Sequence, residues 1–200
     1  ESEFIINRID DEIIGYREFS GMSAAQGTPE MENLCYNLGY AYFKKNEYAR
    51  AADYFKKYTS DNSKDVARRN DALLRLGDSY FVTSQYWPAM EAYNKAIDNN
   101  VSNSDYAAFQ KAISYGFVGR NETKIEELNS FVNRYSRSSY RDDALYELGN
   151  TYVAMNNTSQ AIQAYNRLIR DVSGSSFVPK AMLRKALIYY NSDQGEKALT

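Results

Sequence analysis

One pattern of spacing recurs along the chain and constrains its fold. An apolar residue is followed three positions later by Leu-Gly, and Tyr stands three positions after the Gly. Ala follows nine residues after the Tyr, and an aromatic residue follows one turn after the Ala. Full copies run over 35–55, 73–93 and 145–165, and a partial copy runs over 182–198. A period in the mid-thirties with this signature is typical of a helical repeat. The pattern predicts an all-α, right-handed α-solenoid of helical hairpins, an architecture that suits a binding scaffold better than an enzyme.

Apolar residues recur at helical spacing from residue 29 onward, and polar breaks divide them into pairs of helices. Short turns inside each pair predict antiparallel hairpins. The predicted pairs are 30–44 with 47–59, 66–83 with 86–98, 104–118 with 121–135, 140–155 with 158–171, and 178–191 with 194–200.

These pairs predict a division of the chain into about five repeats. The third is degenerate and the last is truncated, and the repeats run over 29–60, 65–99, 103–135, 139–171 and 177–200. Residues 1–28 are expected to hold an N-terminal helix, or the last helix of a preceding repeat, followed by a loop. Because the chain starts without Met and stops within a repeat, we expect it to be part of a longer protein.

Small and large residues at the repeat positions predict how each hairpin packs. Glycine inside a helix costs about 1 kcal/mol relative to alanine, so we expect it where the facing helix approaches closely. The alanines would supply the matching small surface, and the tyrosines would wedge into the hairpin. These structural positions are Gly39, Tyr42, Ala51, Gly77, Tyr80, Ala89, Gly149, Tyr152 and Ala161. In the third repeat we place Ile113 at the glycine position and Gly116 at the tyrosine position.

The composition excludes several classes of chemistry. The chain has no histidine and a single cysteine, Cys35, which rules out Ser-His-Asp triads and Cys-His pairs and leaves no basis for a zinc site. The formal net charge of −2 is too far from basic for a nucleic-acid footprint. The acidic pairs 126–127 and 142–143 are better explained as a solvated helix face and a helix start than as paired catalytic carboxylates. We therefore predict no catalytic residues, no metal site and no cofactor, and no apolar run long enough to span a membrane.

The repeated residues resemble the tetratricopeptide repeat over roughly 29–200. The consensus tryptophan is absent, since Cys35, Leu73, Leu145 and Met182 stand in its place. Long repeats with polar loops resemble the bacterial cell-envelope branch, which includes the outer-membrane assembly lipoprotein BamD and the Tol–Pal coordinator. The abundance of Tyr and Asn is similar to that in periplasmic repeat proteins of Bacteroidetes. This resemblance implies a periplasmic or cell-envelope location.

The resemblance also implies that the first helix of each hairpin lines a concave groove that binds a peptide or a partner protein. Chaperone-binding members hold a terminal carboxylate with basic residues at two groove positions, and this chain has none at those positions. What remains is an aromatic groove with an acid and an amide, which suits peptide or helix capture. The candidate groove residues are Tyr36, Tyr40, Phe43, Asp78, Phe81, Tyr146 and Asn150.

The most consistent function is a non-catalytic scaffold or adaptor that binds another protein. Two alternatives remain open at this stage. Stacked tyrosines also suit sugars, as in glycan-binding envelope lipoproteins of the SusD type. The repeats could instead be a structural spacer in a larger multidomain protein.

Overall fold

The computed structural model describes residues 2–22, 28, 31, 33–60, 65–99 and 102–192. Regular structure within these residues is entirely α-helical. The helices are α1 (Ser2–Ser20), α2 (Leu34–Lys44), α3 (Tyr48–Ser60), α4 (Val66–Val82), α5 (Tyr86–Asp98), α6 (Ser104–Phe117), α7 (Asn121–Arg134), α8 (Arg141–Ala154), α9 (Thr158–Asp171) and α10 (Val178–Asn191). The all-α solenoid class of fold predicted from the repeats is confirmed.

Helices α3 to α10 begin and end within one residue of their predicted bounds. Helix α2 begins at Leu34, and residues 30 and 32 of the predicted helix 30–44 lie outside the described residues. The predicted helix 194–200 and most of the predicted loop 21–28 lie outside the described residues. The chain divides into two compact units, Glu1–Ala107 and Ala108–Thr200, which we name the N-terminal and C-terminal units.

Within each regular hairpin, an aromatic ring of the second helix lies directly on the glycine of the first. A methyl group added at Gly77 would meet ring carbon Cε1 of Tyr93 at 2.5 Å. The predicted alanines are fully buried, but the atoms nearest the glycines belong to rings rather than to alanines. Alanine and ring lie one helical turn apart, so they share a face, and the longer side chain reaches the glycine. The three ring–glycine pairs are Phe55 on Gly39, Tyr93 on Gly77 and Tyr165 on Gly149.

Among the repeat tyrosines, Tyr42 contacts helix α1 as well as the second helix of its own hairpin. The ring of Tyr42 is buried and stacks on Tyr54 of α3 at 5.4 Å. Its hydroxyl accepts a hydrogen bond from Nη2 of Arg17 in α1 at 2.7 Å. Ile9 and Ile13 of α1 are buried in the same cluster, so α1 covers the first hairpin. Tyr80 and Tyr152 are half-buried.

The third repeat has a different register from the one we predicted. In the regular hairpins a residue with positive φ follows the glycine position by seven residues: Asn46, Ser84 and Asn156. The matching residue of the third hairpin is Gly119, with φ 73°, which places Ala112 at the glycine position. The prediction that Ile113 stands there is wrong by one residue.

The corrected register gives the third repeat nearly regular packing residues. Ala112 and Leu128 are fully buried at the glycine and ring positions, and Tyr115 rather than Gly116 stands at the tyrosine position. The third repeat departs most clearly from the repeat pattern at two positions, and both hold lysine. Lys111 replaces the usual Leu and pairs with Glu127 at 2.7 Å, and Lys124 replaces the usual Ala.

Candidate functional site

In the N-terminal unit, one carboxylate joins two tyrosines of the preceding repeat. Tyr36 and Tyr40 of α2 both donate hydrogen bonds from their hydroxyls to Oδ2 of Asp71 in α4, at 2.9 and 2.5 Å. The two rings are 5.0 Å apart in an edge-to-face arrangement. Burial, and then the hydrogen bond to Asp71, raise the pKa of each hydroxyl. Both tyrosines therefore stay protonated and act as donors.

A second carboxylate of α4, that of Asp78, accepts hydrogen bonds from three side chains. Asp78 accepts hydrogen bonds at Oδ1 from Tyr93 at 2.9 Å and from Tyr106 at 2.6 Å. Its other oxygen lies 2.5 Å from Nη1 of Arg75. The Asp78 side chain is only 9% exposed, so it lies deeper than the groove position that we predicted for it. Burial raises the pKa of Asp78, against the opposing effects of Tyr106 and Arg75.

Arg75 connects the two carboxylates. Its guanidinium lies 3.8 Å from Asp71 as well as 2.5 Å from Asp78, and 5.8 Å from the centre of the Phe43 ring. Burial lowers the pKa of Arg75, but Asp78 and the neighbouring anionic groups outweigh this effect and raise it. The arginine therefore offsets the charge of one of the two carboxylates.

These six residues lie together, and we call their exposed side the tyrosine–carboxylate surface: Tyr36, Tyr40, Phe43, Asp71 and Arg75, with Asp78 buried. Each helix contributes a stripe with the same spacing, four residues and then three, which keeps the side chains on one helical face. The sequence predicted four of the six residues. It did not single out Asp71 or Arg75, although the matching stripe spacing was a signal that could have found them.

Phe81 is the predicted groove residue of the N-terminal unit that the network does not include. It is half-buried, and its ring meets that of Tyr86 edge-to-face at 5.5 Å. It also packs against the apolar cluster that contains Leu73 and Tyr93.

In the C-terminal unit, Tyr146 and Asn150 meet around Tyr165. The Tyr146 ring lies 6.0 Å from that of Tyr165 and 4.9 Å from that of Phe177. Asn150 accepts a hydrogen bond from the Tyr165 hydroxyl at 2.8 Å. Burial raises the pKa of Tyr165 to about 12, so this hydroxyl is also a donor.

A pocket of about 440 Å³ opens beside Asn150. Gly116 lines it, at the position where the other repeats carry Phe43, Phe81 and Val153. A lysine–glutamate pair closes one side, with Nζ of Lys124 at 2.8 Å from Glu147. We did not predict this pocket from the sequence because our register placed Gly116 at the tyrosine position.

No group of three or more metal-ligating side chains occurs among the described residues. Of the acidic pairs considered from the sequence, Asp142 accepts a hydrogen bond from the Ser175 hydroxyl at 2.6 Å. Burial, and then the charge of Asp142, raise the pKa of Asp143. Within the described part of the chain, no helix has both the length and the apolarity to cross a membrane.

Comparison with protein families identifies the repeats. Two tetratricopeptide-repeat family models match the chain, one over residues 36–104 and the other over residues 143–175. Together they cover about half of the sequence, and both coincide with regular hairpins. The chain belongs to the tetratricopeptide-repeat family. A search among curated proteins finds no match to the sequence.

Solved structures share the fold. YrrB, described as a TPR protein with an unusual peptide-binding site, has a TM-score of 0.68 at 19% identity and aligns over 90% of this chain and 84% of its own. BtubC from P. vanneervenii has a TM-score of 0.70 at 11% identity, over 98% and 86%. The apo form of RapI has a TM-score of 0.77 at 16% identity, over 94% of this chain and 55% of its own. At these identities the likeness establishes the fold alone.

Proposed function

We propose that this chain is a non-catalytic scaffold that binds a peptide or a partner protein along its first helices. Tetratricopeptide-repeat folds generally mediate protein–protein interaction, and the family is typically non-catalytic. One observation carries the proposal for this chain: Asp71 holds the hydroxyls of both Tyr36 and Tyr40. Rings fixed before a ligand arrives lose little conformational entropy on binding, which favours affinity.

The contacts of each residue suggest its role in binding. The half-buried rings of Tyr36, Tyr40 and Phe43 provide apolar contact area for side chains of a partner. Asp71 orients the rings of Tyr36 and Tyr40 by accepting their hydroxyl hydrogen bonds. The rings therefore favour an apolar segment of the partner.

The C-terminal unit has its own set of contacts in this proposal. The 440 Å³ pocket beside Gly116 is large enough to accept a bulky side chain. Asn150 lines this pocket and offers an amide, and Tyr146 lies next to it on the same helix.

We also propose a periplasmic or cell-envelope location, of the type found in BamD-like and Tol–Pal-associated repeat proteins of bacteria, including Bacteroidetes. The support is the resemblance of the long repeats with polar loops. Fractionation of the source cells with an antibody against the chain tests this location. Recovery in the cytosolic fraction alone would contradict it.

The binding function is tested by using the purified chain as bait in an extract of the source cells. The comparison is a triple variant, Tyr36→Ala, Tyr40→Ala and Tyr146→Ala, which removes the three predicted ring contacts. The matched control is Tyr54→Ala, a half-buried tyrosine of the second helix α3. Circular dichroism melts establish that each variant is folded.

A protein retained by the wild-type chain and by the control, but lost by the triple variant, supports the proposal and names the partner. Equal retention by all three chains contradicts the groove assignment. Retention of a glycan instead of a protein favours the SusD-like alternative, and retention of nothing favours a structural spacer.

A further inference from the structure

The N-terminal unit has an open crevice away from the tyrosine–carboxylate surface. It lies between α3 and α5, with α4 as its floor, and has a volume of about 560 Å³. We call it the α3–α5 crevice. Leu73 and Leu76 form the apolar floor, and Lys56, Arg69 and Lys95 bring three cationic side chains to its walls.

The C-terminal unit contains the equivalent crevice, between α7 and α9 over α8, and there it is much smaller. Its volume is about 120 Å³, and its lining residues occupy the same repeat positions. Arg167 of α9 bridges the gap by donating a hydrogen bond to Asn133 of α7 at 2.9 Å. A second, longer hydrogen bond joins Asn129 to the Tyr152 hydroxyl at 3.4 Å.

In the α3–α5 crevice, the residues at the two equivalent positions bond to their own helices instead of to each other. Lys95 stands where Arg167 stands in the other unit, and it pairs with Glu91 of its own helix at 3.1 Å. Ser60 stands where Asn133 stands, and its hydroxyl donates to the carbonyl of Lys57 at 2.7 Å. The α3–α5 crevice is therefore larger because the residues at its two bridging positions do not bond to each other.

The two arginines at equivalent positions differ in the same way. Arg141 in the C-terminal unit donates to Asp171 at 2.9 Å, which neutralises its charge. Arg69 has Asn99 at the position of that aspartate. Nε is buried without a hydrogen-bond partner in both arginines, as far as the described residues extend, but Arg69 also makes no ion pair with any of them. Arg69 lines the crevice without an ion pair among the described residues, so its guanidinium is suited to pair with a carboxylate of a ligand.

Charge and shape together define the ligand class. Lys56 makes no ion pair within the described part of the chain, so with Arg69 it leaves two available cations, opposed by Asp98 at the end of α5. We propose that the α3–α5 crevice binds an acidic peptide segment. A carboxylate side chain would pair with Arg69 and Lys56, and an adjacent aliphatic or aromatic side chain would lie on Leu73 and Leu76. The volume is in the range of pockets that take ligands of this size.

This site is separate from the proposed groove and does not depend on it. The test is selection of a random dodecapeptide phage library on the wild-type chain, followed by affinity measurements with the enriched synthetic peptides. The key variant is Lys56→Gln/Arg69→Gln. The matched control, Arg50→Gln/Lys57→Gln, removes the same charge from exposed positions of α3. Tyr36→Ala/Tyr40→Ala tests whether a selected peptide occupies the groove instead.

The proposal expects enriched peptides that combine Asp or Glu with Leu, Ile, Phe or Tyr. Their binding should weaken about tenfold or more in the Lys56/Arg69 variant and stay unchanged in the two other variants, with all melts alike. Absence of acidic sequences, or equal binding to the key variant and its control, would overturn it. Binding of inorganic phosphate is measured in parallel. Phosphate binding as tight as peptide binding would assign the crevice to small anions and would also overturn the proposal.

Discussion

At the scale of single residues, an aromatic ring of the second helix packs directly on a glycine of the first helix in each regular hairpin. Tyr93 is fully buried against Gly77, and its hydroxyl is fixed by Asp78 one residue further along α4. The ring therefore has little freedom to move aside. The sequence predicted the close approach at the glycine but not the group that makes it, because Ala89 and Tyr93 share one face of α5.

Gly77→Ala should lower the free energy of unfolding by about 1–3 kcal/mol, because overpacking a fixed ring outweighs the better helix propensity of alanine. Urea denaturation at neutral pH measures the change. The matched control is Gly15→Ala in α1, where an added methyl group has no atom within 4 Å. That control should be neutral or slightly stabilising. Similar results for the two variants would contradict the ring–glycine account.

Asp171 provides a pH-dependent test at the same scale. Its hydrogen bonds with Arg170 and Arg141 lower its pKa to about 2. A carboxyl whose folded pKa lies below its unfolded value stabilises the fold above about pH 4, and this contribution is lost as the pH falls toward 2. Asp171→Asn should therefore reduce stability at pH 7 by about 1 kcal/mol or less, since the pair is solvent-screened. Thermal melts from pH 7 to pH 2 should show the difference vanishing at the acid end, and a constant difference would contradict it.

At the scale of elements, helix bounds were predictable because the turns carry strong local signals. Asn46, Ser84 and Asn156 all adopt positive φ at the same point of their hairpins. The third hairpin was displaced by one residue in our prediction because Lys111 and Lys124 stand where the repeat usually has Leu and Ala. The structure explains these half-buried lysines, because Lys111 pairs with Glu127 and Lys124 pairs with Glu147.

This difference between hairpins leads to a prediction about Gly116. A methyl group added there would meet Cδ of Lys124 at 2.9 Å, the middle of a flexible side chain rather than a fixed ring. Gly116→Ala should therefore change the free energy of unfolding by less than about 1 kcal/mol, and the gain in helix propensity could make it stabilising. Urea denaturation beside Gly77→Ala provides the comparison. Destabilisation as large as that of Gly77→Ala would show that Lys124 is rigidly held.

At the scale of the whole molecule, the repeat pattern predicted the class of fold, and the family models agree with it. The candidate binding surface was only partly predictable. Tyr36 and Tyr40 stood out as aromatic residues at groove positions, whereas Asp71 and Arg75 were not singled out. Sequence spacing gives the face of a helix, but the partner across the repeat boundary depends on tertiary packing.

The central claim is that the tyrosine–carboxylate surface on the first helices contacts a partner protein. Photocrosslinking in extract of the source cells tests it most directly, with p-benzoylphenylalanine in place of Phe43 on that surface. The matched position is Tyr54, a half-buried aromatic residue of the second helix α3 that lines neither that surface nor the α3–α5 crevice. A discrete protein adduct is expected from position 43 and none from position 54. An adduct of equal yield from both positions, or from position 54 alone, would contradict the claim.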